Sequence, residues 1–284
     1  MNRFKENTIV GIVTCNRQEM FQTCFDSIDK EAVDKIVVVN SGERYDSYPD
    51  NIEVVFPKRS PIVVGVAKNM LLREMYNAVN SKGEPYEWFF VVEDDIKIAD
   101  NKVWEKYIET ACDSGLIHFQ LSYGTHGGVA GGSVNPDGSI NKAHVVEYSK
   151  NQVDFYNNSF AAFSVGHRST LQQFGGGNLF REDFINAAEH LYTHHLMFTR
   201  GMGTPFHYFA DVFNSFQYIQ DQDENHNKSS IRNNPDFMKN FLYSWQLFKS
   251  LVGKTPDKLE KMSPVALMGC LENLESLYAK KQSL

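Results

Sequence analysis

The chain has 284 residues, 42% of them hydrophobic, with a formal net charge of −7 and a pI of about 5.7. That supports one large globular unit, or one with a helical appendage, around a sizeable core. The acidic balance argues against free nucleic acid as the default partner, because proteins built for the phosphate backbone are usually basic.

In chain order, "NTIVGIVTCN" predicts a buried strand. "QEMFQTCFDSIDKE" follows, with Met20, Phe21, Cys24, Phe25 and Ile28 at helical spacing. "DKIVVVNSGE" and "NIEVVFP" predict two more strands, and "PIVVGVAKNMLLREMYNAV" a helix with Val66, Met70, Leu71 and Met75 inward. "YEWFFVVEDD" is a fourth strand, "NKVWEKYIETACDSG" a helix stopped by Gly115, and "LIHFQLSYG" a fifth strand. The glycine-rich "YGTHGGVAGGSVNPDGS" predicts a loop or hairpin; "VVEYSK" and "SFAAFSVGH" are strands; "EDFINAAEHLYTHHLMFTRG" is a helix. "QYIQDQDENHNKSSIRNNP" is polar and aperiodic, a mobile loop that could close over a ligand. "DFMKNFLYSWQLFKSLVG" and "SPVALMGCLENLESLYAKK" predict two amphipathic helices, the first ended by Gly253 and the second capped at Ser263-Pro264; they carry a lysine-rich surface. Cys15, Cys24, Cys112 and Cys270 form no C-x-x-C pair and read as reduced thiols of a cytoplasmic protein. No apolar run nears the ~20 residues of a membrane span, and the opening residues carry no signal-peptide pattern.

Near-continuous apolar strands alternating with helices predict an α/β fold with a mostly parallel sheet covered on both faces. Ligands of such sheets bind beyond the carboxyl ends of the strands. Three of those ends carry polar clusters, "TCNR", "NSGE" and "EDD", which should line one rim. The clearest is Glu93-Asp94-Asp95, three adjacent carboxylates directly after an apolar strand. Alone they would repel and raise one another's pKa. A hard divalent cation, Mn2+ or Mg2+, bridging them to a diphosphate reverses that logic.

These segments together resemble the glycosyltransferases of the GT-A fold, in particular the family-2-like group. The resembling stretches are "IVGIVTCNRQEMFQTCFDSI", the Gly-x-Ala-x-Asn start of "GVAKNMLLREM", "FFVVEDDIKI" as an E-D-D form of the D-x-D element, and "FSVGHRSTLQQFGGGNLF" with its glycine turn. The resemblance implies a GT-A, Rossmann-like sheet and a metal-dependent, inverting transfer of a hexosyl or pentosyl group from a nucleotide sugar, with a UDP-sugar as donor. It implies that Thr14, Asn16 and Arg17 line the nucleotide pocket. Asn40 stands where the family commonly has an Asp contacting base or ribose, and Lys68 where an Arg is frequent. Asp95 would bind the metal, Asp94 would contact ribose, sugar or metal-bound water, and Glu93 would orient the turn or the nucleotide. The family's general base is a carboxylate after the glycine turn; Glu189 is the favoured candidate and Asp183, in "FRED", the runner-up. A late histidine often adds a metal ligand; His226, beside Lys228 and Ser229, is the first choice and His207 the second.

Other readings remain open. His190 and His194 share an i, i+4 face but lack the H-E-x-x-H glutamate of a zinc site. The glycine-rich loop lacks a P-loop lysine. A nucleotidyltransferase would use a similar sheet and Mg2+, and a non-catalytic nucleotide- or carbohydrate-binding protein could keep the same scaffold. The acceptor reading is a glycan or a hydroxymethylated base of double-stranded DNA, as in phage transferases. Residues 1–234 are expected to form the catalytic domain, with a donor half at 1–123 and an acceptor half at 124–234, and 235–284 a helical extension.

Overall fold

The computed structural model describes residues 3–50, 52–58, 63–122, 142–148, 151–156, 159–185, 187–202, 208–222 and 234–259. Their elements are α1 (Arg3–Glu6), β1 (Thr8–Thr14), α2 (Gln18–Ser27), β2 (Lys35–Asn40), β3 (Glu53–Val55), α3 (Val64–Asn77), β4 (Trp88–Glu93), β5 (Ile96–Ile98), α4 (Val103–Ser114), β6 (His118–Ser122), β7 (Lys142–Tyr148), β8 (Asn151–Tyr156), β9 (Ser159–His167), α5 (Arg168–Gln173), α6 (Glu189–Thr199), β10 (Phe209–Val212), β11 (Ile219–Asp221) and α7 (Phe237–Val252).

A six-stranded sheet runs β3-β2-β1-β4-β9-β6. Its β3, β2, β1 and β4 are parallel neighbours, and β9 runs antiparallel between β4 and β6. The expected Rossmann-like, mostly parallel α/β sheet is therefore present. Alternate residues of each central strand feed two separate cores. Val10, Ile12, Trp88, Phe90 and Val92 pack with α2 and α4 on one face. Ile9, Val13, Phe89 and Val91 pack with α3, α5 and α6 on the other. Gly11 lets α3 sit close on β1, since a Cβ there would lie 2.5 Å from Met75 Sδ and 2.6 Å from a Leu71 methyl. The helix stops at Gly115 (φ 72°) and Gly253 (φ 84°) are left-handed as expected.

A second sheet, β10-β8-β7, packs against α4. Asp211 and Asp154 face each other in its register, both fully buried. Asp211 accepts hydrogen bonds from Tyr107 Oη and Ser215 Oγ (2.7 Å), and Asp154 from Tyr156 Oη (2.8 Å). These bonds give partners to polar side chains that are costly to bury alone.

Four expectations need correction. β8 was not foreseen, because its Asp154 interrupts the apolar alternation; the side chain is buried opposite Asp211 and accepts from Tyr156 of the same strand. The helix expected from Glu182 starts only at Glu189, after a non-helical turn. Helix α3 turns Ala67, Lys68, Leu71, Leu72 and Met75 inward and leaves Val66 and Met70 half-buried. Ile219–Asp221 is not loop: it pairs with β5. Residues 223–233, 203–207 and 260–284 lie outside the described set, and with them the lid expectation, His207 and the second C-terminal helix. Among the described residues Cys15, Cys24 and Cys112 form no disulfide, and no helix is long and apolar enough to cross a membrane.

The close approach at Gly11 predicts that Gly11→Val lowers stability by roughly 1–3 kcal/mol through overpacking against Leu71 and Met75. Urea denaturation should show a lower midpoint with an unchanged slope; an unchanged midpoint would contradict this packing.

Candidate functional site

The parallel register brings the carboxyl ends of β2, β1 and β4 side by side, with Thr14 opposite Asn40 and Val13 opposite Glu93. The Asp94 N–H continues the ladder to the Val13 carbonyl (3.1 Å). This turns Asp94 and Asp95 inward, and they are only 0% and 5% exposed. So the triplet is not a solvated helix cap. Arg17 answers the buried charge. Its guanidinium binds both Asp94 oxygens, with Nε 3.2 Å from Oδ2, and reaches Asp95 Oδ2 at 3.4 Å. Asn16, in the left-handed region at φ 56°, turns the chain just before it. A hydrogen-bonded chain supports the contact: the Arg17 N–H donates to Tyr45 Oη (3.0 Å), Tyr45 bonds to Thr14 Oγ1, and Thr14 donates to Asp94 Oδ2 (2.6 Å). Burial pushes the Asp94 carboxyl up, and the Arg17 guanidinium pulls against it.

The other side of the rim is closed by Lys68. It is 1% exposed, with Nζ 2.6 Å from Glu93 Oε1 and 4.0 Å from Glu189 Oε1. Burial lowers its pKa, but Glu93 and Glu189 reverse that and hold it charged. Glu189 opens α6 directly after Ala188, a non-glycine residue at φ 62°. Such strain persists where the surroundings over-determine it, and it concentrates at functional sites. Glu189 is 5% exposed, and its Oε2 is buried without a hydrogen-bond partner. Burial would push this carboxyl up, but His190 and Lys68 outweigh it and draw it down to about 2. His190 Nδ1 stands 3.6 Å from Oε1, beyond hydrogen-bond length, so its influence is electrostatic. The result is a buried carboxylate, ionised at neutral pH, with one ammonium between it and the triplet.

The remaining expected residues are placed differently. Asn40 spends its amide inside the following loop, donating to the Glu43 carbonyl and Tyr48 Oη (both 2.7 Å) and accepting from the Gly42 N–H (2.9 Å). Asn16 accepts from the Glu43 N–H (2.7 Å), so the two asparagines shape the rim. Asp183 is exposed and held by Arg181 of its own turn (2.7–2.9 Å). His194 stacks on Phe209, and no cluster of three or more His, Cys, Asp or Glu side chains with metal-binding geometry occurs among the described residues. His226, Lys228 and Ser229 lie outside them. Sequence reasoning missed Tyr45 and Gln222. Gln222 Nε2 donates to the carbonyls of Met20 (3.1 Å), Asp94 (2.9 Å) and Ile96 (3.2 Å), and its N–H to that of Asp95 (2.8 Å). It pins the acidic turn from the far end of the chain, and no local pattern announces it.

Breaking a buried ion pair from one side leaves a charge uncompensated. Arg17→Met should therefore lower stability by roughly 3–5 kcal/mol, and adding Asp94→Asn should restore part of it. Additive losses in that cycle would mean the pair does not hold the turn. Glu189 gives a signed pH test. Its folded pKa lies below the ordinary value of 4.5, at about 2, so its stabilisation is complete above 4.5 and disappears as pH falls through 2. The stability gap between wild type and Glu189→Gln should be constant near neutrality and shrink across that window.

No protein-family model matches this chain, and no curated protein matches it. Among solved structures, a mannosyltransferase from Pyrobaculum calidifontis in complex with GDP-Man and Mn2+ aligns at a TM-score of 0.45 and 14% identity, over 70% of this chain and 55% of that one. The chain thus spans just over half the length of that protein. A 4-diphosphocytidyl-2C-methyl-D-erythritol synthase from Anaerococcus prevotii aligns at a TM-score of 0.33 and 11% identity, over 60% of this chain and 77% of that one.

Proposed function

We propose that this chain is a metal-dependent, inverting glycosyltransferase of the GT-A type, moving a sugar from a nucleotide-sugar donor to an acceptor hydroxyl. The observation that carries the reading is the joining of two carboxylate groups at one rim: Asp94 and Asp95 with Arg17 on one side, Glu189 on the other, coupled by the Lys68–Glu93 pair. A diphosphate needs positive charge at its binding site, and an acceptor hydroxyl needs a base facing it.

The donor set fits a hard cation shared with phosphate. Both Asp94 oxygens are taken by Arg17 and Thr14, and Asp95 Oδ2 meets Arg17 at the longer distance of 3.4 Å. Mg2+ and Mn2+ sites of this kind use one or two carboxylates and let substrate phosphates complete the shell. Asp95 would hold the ion, with His226 as a further ligand. When bound, it neutralises charge on the departing diphosphate.

The protein's own groups supply the rest. Arg17 orients the diphosphate, and Thr14 and Tyr45 hold Arg17 in place. Glu189 takes the proton of the acceptor hydroxyl as the new C–O bond forms and the bond to the diphosphate breaks. At a resting pKa of about 2 Glu189 is a weak base. An incoming diphosphate would offset the positive charge of Lys68, one of the groups that hold Glu189 ionised, and so make it a stronger base. Glu189 is preferred to Asp183 because Asp183 is exposed and engaged with Arg181, whereas Glu189 is buried beside Lys68. The donor is read as a UDP-sugar, and the acceptor as a glycan or a hydroxymethylated DNA base. Residues 1–234 would form the catalytic domain and 235–284 its extension.

Turnover should be measured against a panel of nucleotide sugars with Mn2+. Asp95→Asn should lose most activity, and excess EDTA should do the same. Glu189→Gln should keep donor affinity and turn over roughly 10²–10⁴-fold more slowly. Full activity in EDTA, or a product that keeps the donor's anomeric configuration, would overturn the reading. Release of pyrophosphate from a nucleoside triphosphate would favour a nucleotidyltransferase instead, and donor binding with no turnover a non-catalytic binding protein.

A further inference from the structure

Gly65, Lys68 and Asn69 stand at i, i+3 and i+4 near the start of α3, so they share one face of that helix. All three meet the chain that follows the glycine turn. A Cβ on Gly65 would lie 3.2 Å from the Arg181 carbonyl, so the bare backbone lets that segment come close. Lys68 Nζ lies 5.4 Å from the centre of the Phe180 ring. Asn69 is buried and uses its amide as a neighbouring strand would use a peptide group. Its Nδ2 donates to the Phe180 carbonyl (2.7 Å), and its Oδ1 accepts from the Phe180 N–H (2.8 Å).

The preceding residue is held from the other side. Thr193 is buried, and its Oγ1 donates to the Leu179 carbonyl (3.2 Å). Thr193 lies four residues after Glu189 on α6, and so on the same face of that helix. Leu179-Phe180 is therefore a spacer gripped between two helices, by Asn69 of α3 and Thr193 of α6. Each gripping residue neighbours one member of an ion pair. Asn69 follows Lys68 in α3, and Thr193 sits one turn from Glu189, whose Oε1 is 4.0 Å from Lys68 Nζ. That separation is too long for a hydrogen bond, and Glu189 Oε2 is buried without a hydrogen-bond partner. Side-chain bonds thus do little to fix this carboxylate, and its place depends on how α6 is set against α3.

We propose that Asn69 and Thr193 are positioning residues for Glu189: through Leu179-Phe180 they set the spacing of α3 and α6 and hold Glu189 beside Lys68. The catalytic consequence rests on the reading of Glu189 as the acceptor's base; the clamp itself does not. A misplacement of about 1 Å costs a reacting group on the order of 10²-fold in rate.

Two measurements on the full chain test this. The first is a double-mutant cycle by urea denaturation, pairing Thr193→Val or Asn69→Leu with Glu189→Gln. If the clamp holds Glu189 at Lys68, Glu189→Gln should matter less in a clamp variant than in the wild type. Additive losses would mean that the clamp adds stability without placing Glu189, and would overturn the proposal. The second is turnover, with Mn2+, of the nucleotide sugar that the wild type accepts. Thr193→Val removes one hydrogen bond and should lower kcat by about tenfold. Asn69→Leu removes two and should lower it roughly 10²-fold. Donor KM should stay unchanged in both, because Arg17 and Asp95 are untouched. Thr193→Ser keeps the hydroxyl and should recover most of the loss. If Asn69→Leu fails to fold, the two Thr193 variants decide the matter. Wild-type kcat in the clamp variants beside a slow Glu189→Gln, or a donor KM that changes as much as kcat, would overturn the proposal. If no nucleotide sugar is turned over, or Glu189→Gln is as fast as the wild type, the transferase reading falls instead, and the cycle still decides the clamp.

Discussion

Three carboxylates at the end of one buried strand are the constraint around which this protein is arranged. Burying them without compensation would cost more than a domain's whole net stability. Two cations from opposite sides of the sheet answer them. Arg17 comes from the turn after β1 and takes Asp94 and Asp95; Lys68 comes from the buried side of α3 and takes Glu93. Each cation then recruits further structure. Arg17 brings Tyr45 and the loop after β2, and Lys68 brings Glu189 and the start of α6. The rim is thus a charge-balanced unit made of segments distant in sequence.

That balance explains why strain collects here. Among the described residues, the positive-φ positions that are not glycine are Asn16, Ala188 and Asn214, and two of them flank the rim. Asn16 aims Arg17 into the acidic turn and Ala188 aims Glu189 toward Lys68. Local backbone preference is overridden at both places by long-range ion pairing. The rim is also braced from behind, since Gln222 ties the backbone of the acidic turn to α2 through three carbonyls.

Much of this was legible in the sequence, for identifiable reasons. β1 and β4 are continuous apolar runs, so their parallel placement and the meeting of "TCNR" with "EDD" followed from patterning alone. Gly115 and Gly253 marked helix ends because only glycine takes those left-handed positions readily. What escaped depends on distant partners. Lys68 lies in a helix whose apolar spacing suggested a different inner face, and only Glu93 and Glu189 make its burial tolerable. The family resemblance puts Asn40 at the base or ribose; in the structure its amide bonds within the following loop, to Glu43, Tyr48 and Gly42, and no sequence pattern shows those bonds. β8 was hidden by Asp154, which breaks the apolar alternation yet is buried opposite Asp211 of β10. Charge acceptable only in a tertiary network leaves no local trace.

The central claim is that the Asp95 side of this rim receives a metal-bound diphosphate while Glu189 faces the sugar. Crystals soaked with Mn2+ and a nucleotide sugar, measured at the manganese absorption edge, test it most directly. The account predicts an anomalous peak in contact with Asp95, the diphosphate alongside Arg17, and the sugar between the metal and Glu189. A nucleotide bound away from the ends of β1 and β4, or a sugar pointing away from Glu189, would contradict it.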